Sequence, residues 1–397
     1  MADAPREAWI TGVGIVSTLG EGVDAHWQKL SAGQPAADAT TFAPFVVHPL
    51  APVNFDAQIP KKGDQRQMEN WQRIGTYAAG LALDSAGVKG KPELLSQMDM
   101  IVAAGGGERD LKVDATILNG YAQAANPAAF LNERLMGDLR PTLFLAQLSN
   151  LLAGNISIVH GVTGSSRTFM GEESAGFDAV RIALSRIAAG QSDIALVGGA
   201  HNGERPEMLM LYEFAGECLK DKLVPVWERG DKGGFALGSL GAFLVIEARD
   251  HAEKRGAKPL ARLTAVVSDR ASRQPGTITE TLGKLWDKIK DKVKGNHTAV
   301  LSGATGAPQA TVEERAFLQQ HGDLAVRATG TYLGHGMEPQ FAMNVALATV
   351  MLAHGSLYPP CDQTGLEKPM NGSLDQVVVT GVGHWRGEGM ALVERVG

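Results

Sequence analysis

The sequence predicts an α/β fold made of two similar units in tandem, and three observations carry that reading. Short apolar runs alternate with amphipathic stretches, as buried strands and the helices that cover them do. Glycine and alanine abound, with 48 glycines in 397 residues. Two pairs of segments also recur in the same order: DIALVGG (Asp193–Gly199) with DQVVVTG (Asp375–Gly381), and GAFLVIE (Gly241–Glu247) with GMALVER (Gly389–Arg395). Each pair follows an apolar helical stretch, which suggests a duplicated unit.

Taken in order, the strands are expected at Ile10–Ile15, Met100–Ala104, Ile194–Val197, Ala242–Ile246, Ala299–Ser302, Val377–Thr380 and Met390–Val393. Between Glu173 and Ala189 the residues Val180, Ala183, Leu184 and Ile187 recur at helical spacing. Asp178, Arg181 and Ser185 form a narrower polar stripe, so this helix is mostly buried. A second helix runs from about Pro339 to His354, with Phe341, Val345, Ala348 and Leu352 on one face and Gly355 closing it. HAEKRGAKP, near Ala248–Lys258, is polar enough to connect the units, which divides the chain into residues 1–250 and 251–397. DKIKDKVKGN (Asp287–Asn296) reads as a solvated helix end.

At 44% hydrophobic and 20% charged residues the chain can bury a large core. No apolar run is long enough for a transmembrane helix and the N-terminus has no signal-peptide pattern, so a cytoplasmic protein is expected. Cys218 and Cys361 form no CxxC or Cys/His spacing, and neither a disulfide framework, a metal site nor a cofactor is indicated. A net charge of −6 argues against general nucleic-acid binding.

Several blocks, in order, resemble the β-ketoacyl-[acyl carrier protein] synthase family. They are WITGVGIVSTLG (Trp9–Gly20), NLLAGNISIVHGVTG (Asn150–Gly164), the stretch Thr163–Ala200, and GGFALGSLGAFLVIEARDHAEKRGAK (Gly233–Lys258). The resemblance implies the thiolase-like five-layer α/β/α/β/α fold of two duplicated halves. Gly12 and Gly14 also give a GxG, but Ser17 stands where a dinucleotide-binding loop needs its third glycine. A narrower likeness, through Gly63–Gly87 and TLFLAQLSNLLAGN, is to the paired alphaproteobacterial synthases of the very-long-chain acyl group of lipid A.

Carried over residue by residue, the resemblance implies a degenerate site. Glu173 occupies the place of the nucleophilic cysteine. GATGAP (Gly303–Pro308) matches the HATSTP loop and puts Gly303 at the first catalytic histidine, with Glu314 matching an acidic residue further on. GTYLGH (Gly330–His335) matches KSxxGH, keeping His335 but replacing the lysine by Gly330. GSLGA (Gly238–Ala242) loses the glutamate of GEGAG at Ser239, and GHWRG puts His384, Trp385 and Arg386, between Gly383 and Gly387, where the family has the small loop GFGG. Those bulky residues are expected to wall or stop an acyl tunnel.

Condensation needs a nucleophile, oxyanion donors and imidazoles that stabilise the enolate. A carboxylate at Glu173 would form an anhydride rather than a thioester, and losing the nucleophile lowers the rate by about a millionfold. Ser174 is a weak substitute because Glu172 takes the glycine place of a nucleophile elbow. His160, His201 and His354 have no paired acid at a telling spacing and read as ordinary core or surface histidines. A glutamate in a first helical turn is favoured by the dipole alone, but a buried one needs a partner, expected to be His335 or Arg167.

The pattern of losses resembles the chain-length factors, although those relatives usually carry glutamine at the position of Glu173. The expected role is a condensation-inactive partner of an active ketosynthase in fatty acid biosynthesis, as heterodimer or homodimer, working on an acyl carrier protein. Two alternatives stand beside it: an acyltransferase or malonyl decarboxylase using His335 with Glu173 as base, and a homodimeric acyl-chain or carrier binder. Lys61, Lys62, Arg66, Arg73, Lys220 and Lys222 are candidates for docking an acidic carrier.

Overall fold

The computed structural model describes residues 5–140, 143 and 147–396. Of the TLFLAQLSNLLAGN segment, Thr142, Phe144, Leu145 and Ala146 therefore lie outside the described residues.

Among the described residues ten longer strands hydrogen-bond into one continuous array that folds into two facing sheets: β1 (Ala8–Ser17), β2 (Asp99–Ala103), β3 (Ser166–Phe169), β4 (Ile194–His201), β5 (Leu240–Ala248), β6 (Ala261–Asp269), β7 (Thr298–Ser302), β8 (Ala325–Ala328), β9 (Gln376–Val382) and β10 (Glu388–Glu394). Their order is β8-β7-β9-β10-β6-β1-β5-β4-β2-β3, with the short strand Gly20–Glu21 paired to β1. Strands β1 to β5 and β6 to β10 thus repeat one topology. In each set the second strand pairs in parallel with the third and fourth, and the fifth runs antiparallel between the fourth and first. The two sets join antiparallel at Trp9↔Arg262 and Ile10↔Ala261.

Side chains alternate across a strand, and that alternation makes the layers. Ala195 and Val197 of β4 and Leu244 and Ile246 of β5 face one core, with Ala299, Leu301, Val377, Val379, Ala391 and Val393 from the second set. That core is filled by α3 (Glu173–Ala188) and α7 (Gln340–His354). The intervening residues point the other way. Leu196, Phe243 and Val245 pack under α1 (Asn70–Ser85) and α2 (Leu151–His160). Val300, Val378 and Leu392 pack under α5 (Thr277–Asp287) and α6 (Pro308–Gln320). Two sheets with α3 and α7 between them and helices outside each give the five layers of a thiolase-like fold.

All seven strands expected from the sequence form, and both helices fall where the periodicity puts them. α7 differs in one respect: every residue from Gln340 to Leu352 is buried, not one face alone, because a helix between two sheets has no solvent side. Each large apolar side chain buried there contributes about 1.5–3 kcal/mol, and Gly355 closes the helix at φ 64°. β3, β6 and β8 are strands beyond those seven. The connector is not a free linker either, since it forms the short helix α4 (Arg249–Lys254) and Arg255 caps buried Glu247 with two contacts of 2.6 Å. Gly12 and Gly14 serve close packing: a Cβ there would stand 2.5 Å from the Ala82 carbonyl oxygen and 2.1 Å from that of Ala78, both in α1. No helix among the described residues is long and apolar enough to cross a membrane.

Candidate active site

Strand β3 runs into α3 through a sharp turn at Glu172, whose φ of 51° and ψ of −133° lie in a region that L side chains rarely adopt. The turn sets Glu173 at the first position of the helix, where free N–H groups and the dipole favour a carboxylate. Glu173 is only 5% exposed. Two imidazoles meet it there. His335 follows the short helix Gly330–Leu333 and is pinned by its backbone, whose N–H donates to Ala236 (2.7 Å) and whose carbonyl accepts from Gly238 (2.9 Å). His384 sits on the β9–β10 turn, which Gly383 N–H closes onto the Gly387 carbonyl at 2.8 Å.

One oxygen receives every donor. Glu173 Oε1 accepts from His335 Nε2 at 2.7 Å, His384 Nδ1 at 2.8 Å and the His384 backbone N–H at 3.2 Å. Oε2 is buried and has no hydrogen-bond partner. The rings are held by aromatics: His335 lies edge-on to Phe235 at 5.4 Å, and His384 to Tyr212 at 5.4 Å and Phe235 at 5.8 Å. Burial alone would raise the Glu173 carboxyl, but the charge on His384 and the bonds from both imidazoles hold it well below its ordinary range. Burial likewise opposes charge on His384, and the Glu173 carboxylate overrides it, raising His384 above its ordinary value. The result is a buried carboxylate–imidazolium pair.

Glu173, His335 and His384 are also the residues whose ligand atoms converge within 4.8 Å in the manner of a metal site. Tetrahedral zinc with bonds near 2.0–2.1 Å needs its ligand atoms roughly 3.3 Å apart. The contacts of 2.7 and 2.8 Å are those of shared protons.

The structure brings together Glu173, His335 and His384, and makes His335 rather than Arg167 a partner of Glu173. Gly383 packs beside them, its hypothetical Cβ 3.3 Å from Glu173 Oε2. Trp385 and Arg386 are instead at the surface, Trp385 65% exposed and Arg386 4.0 Å from Glu172 Oε2, because the turn that points His384 inward points its successors out. The expected wall of bulky residues therefore reduces, within this chain, to His384. Gly303 and Gly330 leave no room for side chains: a Cβ at either would lie 2.6 Å from a carbonyl oxygen, of Thr380 and Ala304 respectively. Glu314 nearby is fully buried, accepting from Ser302 (2.7 Å) and Thr380 (2.5 Å), and burial raises its carboxyl. Ser239 is buried and bonded to Glu204 at 2.9 Å.

The other candidates have local duties. Ser174 donates to the Gly171 carbonyl at 2.6 Å, His160 is hydrogen-bonded to that of Thr76 at 2.8 Å, and His354 stacks on Trp27 at 4.0 Å. Lys62 and Lys220 are engaged by Asp56 and Glu213, which reduces the free positive charge of that set. What the sequence did not disclose is the inward turn of His384, 211 positions from its partner, and a second buried pair, His201 and Glu338, 3.9 Å apart. Neither lies in a pattern that periodicity registers.

A duplicated thiolase-like scaffold with the first residue of a helix buried beneath two imidazoles defines a condensing-enzyme architecture. The profile described as Beta-ketoacyl synthase, N-terminal domain matches residues 6–252, and the chain belongs to that family. It is 27% identical over 270 residues to 3-oxoacyl-[acyl-carrier-protein] synthase 2 of Vibrio harveyi, a match spanning 65% of this chain and 61% of that protein. It is 26% identical over 383 residues to the Tetracenomycin polyketide synthase ketoacyl synthase beta subunit of Streptomyces glaucescens, spanning 92% and 90%. The solved ishigamide ketosynthase/chain length factor superposes with a TM-score of 0.81 over 99% of this chain and 100% of that one, at 20% identity.

Proposed function

We propose that this chain is a condensation-inactive, chain-length-factor-like partner of an active ketosynthase, working on acyl chains borne by an acyl carrier protein in the cytoplasm. The observation that carries the reading is the buried Glu173 carboxylate locked to His335 and His384 at the nucleophile's place. A carboxylate held so far below its ordinary range is a weak base and no thiolate equivalent, which counts against the decarboxylase alternative. Association is supported by the terminal position of β3 in the sheet, with Ile158 and Met170 exposed by 72% and 66% beside it. The partner is a homologous ketosynthase, with a homodimer as the other outcome. Residues 1–250 and 251–397 are taken as its two halves, and the likeness of Gly63–Gly87 favours a very-long-chain acyl substrate.

The test is to purify the chain alone and with a ketosynthase encoded beside it, and to follow malonyl-carrier decarboxylation and condensation by mass spectrometry. Stable hetero-association with altered product length is expected. Turnover by the isolated chain that Glu173→Ala abolishes would defeat the reading.

A further inference from the structure

A cavity of about 120 Å³ lies next to the Glu173 site and is lined by Trp71, the Gly105–Gly107 loop, His201, Arg205, Tyr212 and Glu338 among others. It adjoins that site in two ways. Tyr212 packs its ring on His384 at 5.4 Å, and Met337 and Glu338 follow His335 almost directly in the chain.

The lining is polar and its hydrogen bonds are incomplete. The buried His201 Nε2 and Trp71 Nε1 have no protein partner, and His201 Nδ1 is 3.9 Å from Glu338 Oε2, beyond hydrogen-bond reach. Arg205 is already engaged, by Glu207 and by the Gly107 carbonyl, each at 2.8 Å. Burial and the neighbouring Glu173 and Glu172 push the Glu338 carboxyl up to about 7, and burial pushes His201 down to about 3. Near neutral pH the cavity therefore offers two neutral N–H groups or their ring equivalents and a carboxyl able to donate or accept.

Buried polar groups need partners, and a saturated chain supplies none. An anionic group would face the Glu338 carboxyl with Arg205 already engaged by Glu207 and Gly107, while a cationic one would face the indole N–H. A neutral oxygen satisfies the lining, since it accepts from nitrogen donors and exchanges a hydrogen bond with Glu338. We propose that this cavity receives a hydroxyl or keto group carried on an acyl chain, so that the protein selects oxygenated over saturated chains. That the group arrives on an acyl chain rests on the function proposed above.

The experiment is isothermal titration of the full-length chain with octanoyl-pantetheine and its 3-, 5- and 7-hydroxy derivatives, beside a pull-down of the neighbouring ketosynthase. At least one hydroxy derivative is expected to bind tenfold or more tightly than the saturated thioester, a difference of about 1.4 kcal/mol. Trp71→Phe, which removes one donor and keeps an aromatic ring, should bring the ratio towards unity, as should Glu338→Leu if it folds. Equal or tighter binding of the saturated thioester, or a ratio untouched by Trp71→Phe, overturns the proposal. The two claims separate cleanly: ketosynthase capture without hydroxyl preference removes the cavity proposal alone, and preference without capture removes the partner reading alone.

Discussion

Replacing Glu173 by glutamine removes one charge and leaves the shape, so it isolates the electrostatics of the buried pair. The glutamine oxygen still accepts from His335 and His384, but two charge-assisted bonds become neutral ones, a loss of roughly 1 kcal/mol each. The amide nitrogen lands where Oε2 has no partner, adding up to about 1 kcal/mol. The expected destabilisation at pH 6 is therefore about 2–3 kcal/mol, just under the usual effect of breaking a buried pair outright. The pH dependence has a definite sign. Glu173 is held below its ordinary 4.5, so its contribution is present above that value and lost as pH falls through the lowered one. His384 is held above its ordinary 6.5, so its contribution is complete below 6.5 and lost as pH rises through the raised value. The wild-type advantage should thus be greatest between about pH 5 and 6.5 and shrink as pH rises through the raised value of His384. With an unfolding entropy near 2.1 cal/mol/K per residue over 397 residues, 1 kcal/mol moves Tm by roughly 1 °C. Thermal unfolding followed by near-ultraviolet circular dichroism at pH 6 and pH 9 is the assay, with a Tm gap of about 2–3 °C expected at pH 6. A variant as stable as wild type at pH 6, or a gap that does not narrow at pH 9, refutes the paired-charge account.

Three further outcomes follow from the same geometry. Glu173→Cys should not restore condensation, because Gly303 supplies no imidazole and a Cβ there meets the Thr380 carbonyl at 2.6 Å; product detected by mass at a rate near that of a working ketosynthase contradicts this. Glu314→Gln should leave stability nearly unchanged at pH 4 and raise it relative to wild type at pH 8, since a carboxyl raised by burial makes the native state lose stability as pH climbs above 4.5; a variant Tm that falls further below wild type at pH 8 than at pH 4 speaks against a raised Glu314 carboxyl. Glu172→Gly should raise Tm by roughly 1 °C by relieving the turn at φ 51°, a gain of about 1 kcal/mol that Glu172→Ala does not share; equal effects of the two variants would show that the turn is unstrained.

The central strands were legible because they are continuous apolar runs buried on both faces. β6 was not, because ARLTAVVSD alternates between buried and half-exposed positions beside a polar connector and looks like part of it. β8 is four residues, AVRA, and its arginine masks it: Arg327 is 2% exposed, held by the carbonyls of Tyr358 and Lys368 at 2.6 and 2.9 Å. At the site, Glu173 and His335 could be named from motifs, since each lies in a local pattern. His384 could be marked only as bulky, because its role depends on which way one residue of a turn points. Glu338 carried no signal at all, and its importance arises wholly from burial beside other carboxylates.

The unusual backbone at Glu172 bears on how the site is held. The turn at the head of α3 is made by a residue ill suited to it, because an L side chain rarely adopts φ 51° and ψ −133°. The main chain at this turn therefore helps set where the Glu173 carboxylate meets His335 and His384. Gly303 and Gly330 are fixed by their surroundings in the same way, since neither can take a side chain without displacing a neighbouring carbonyl oxygen.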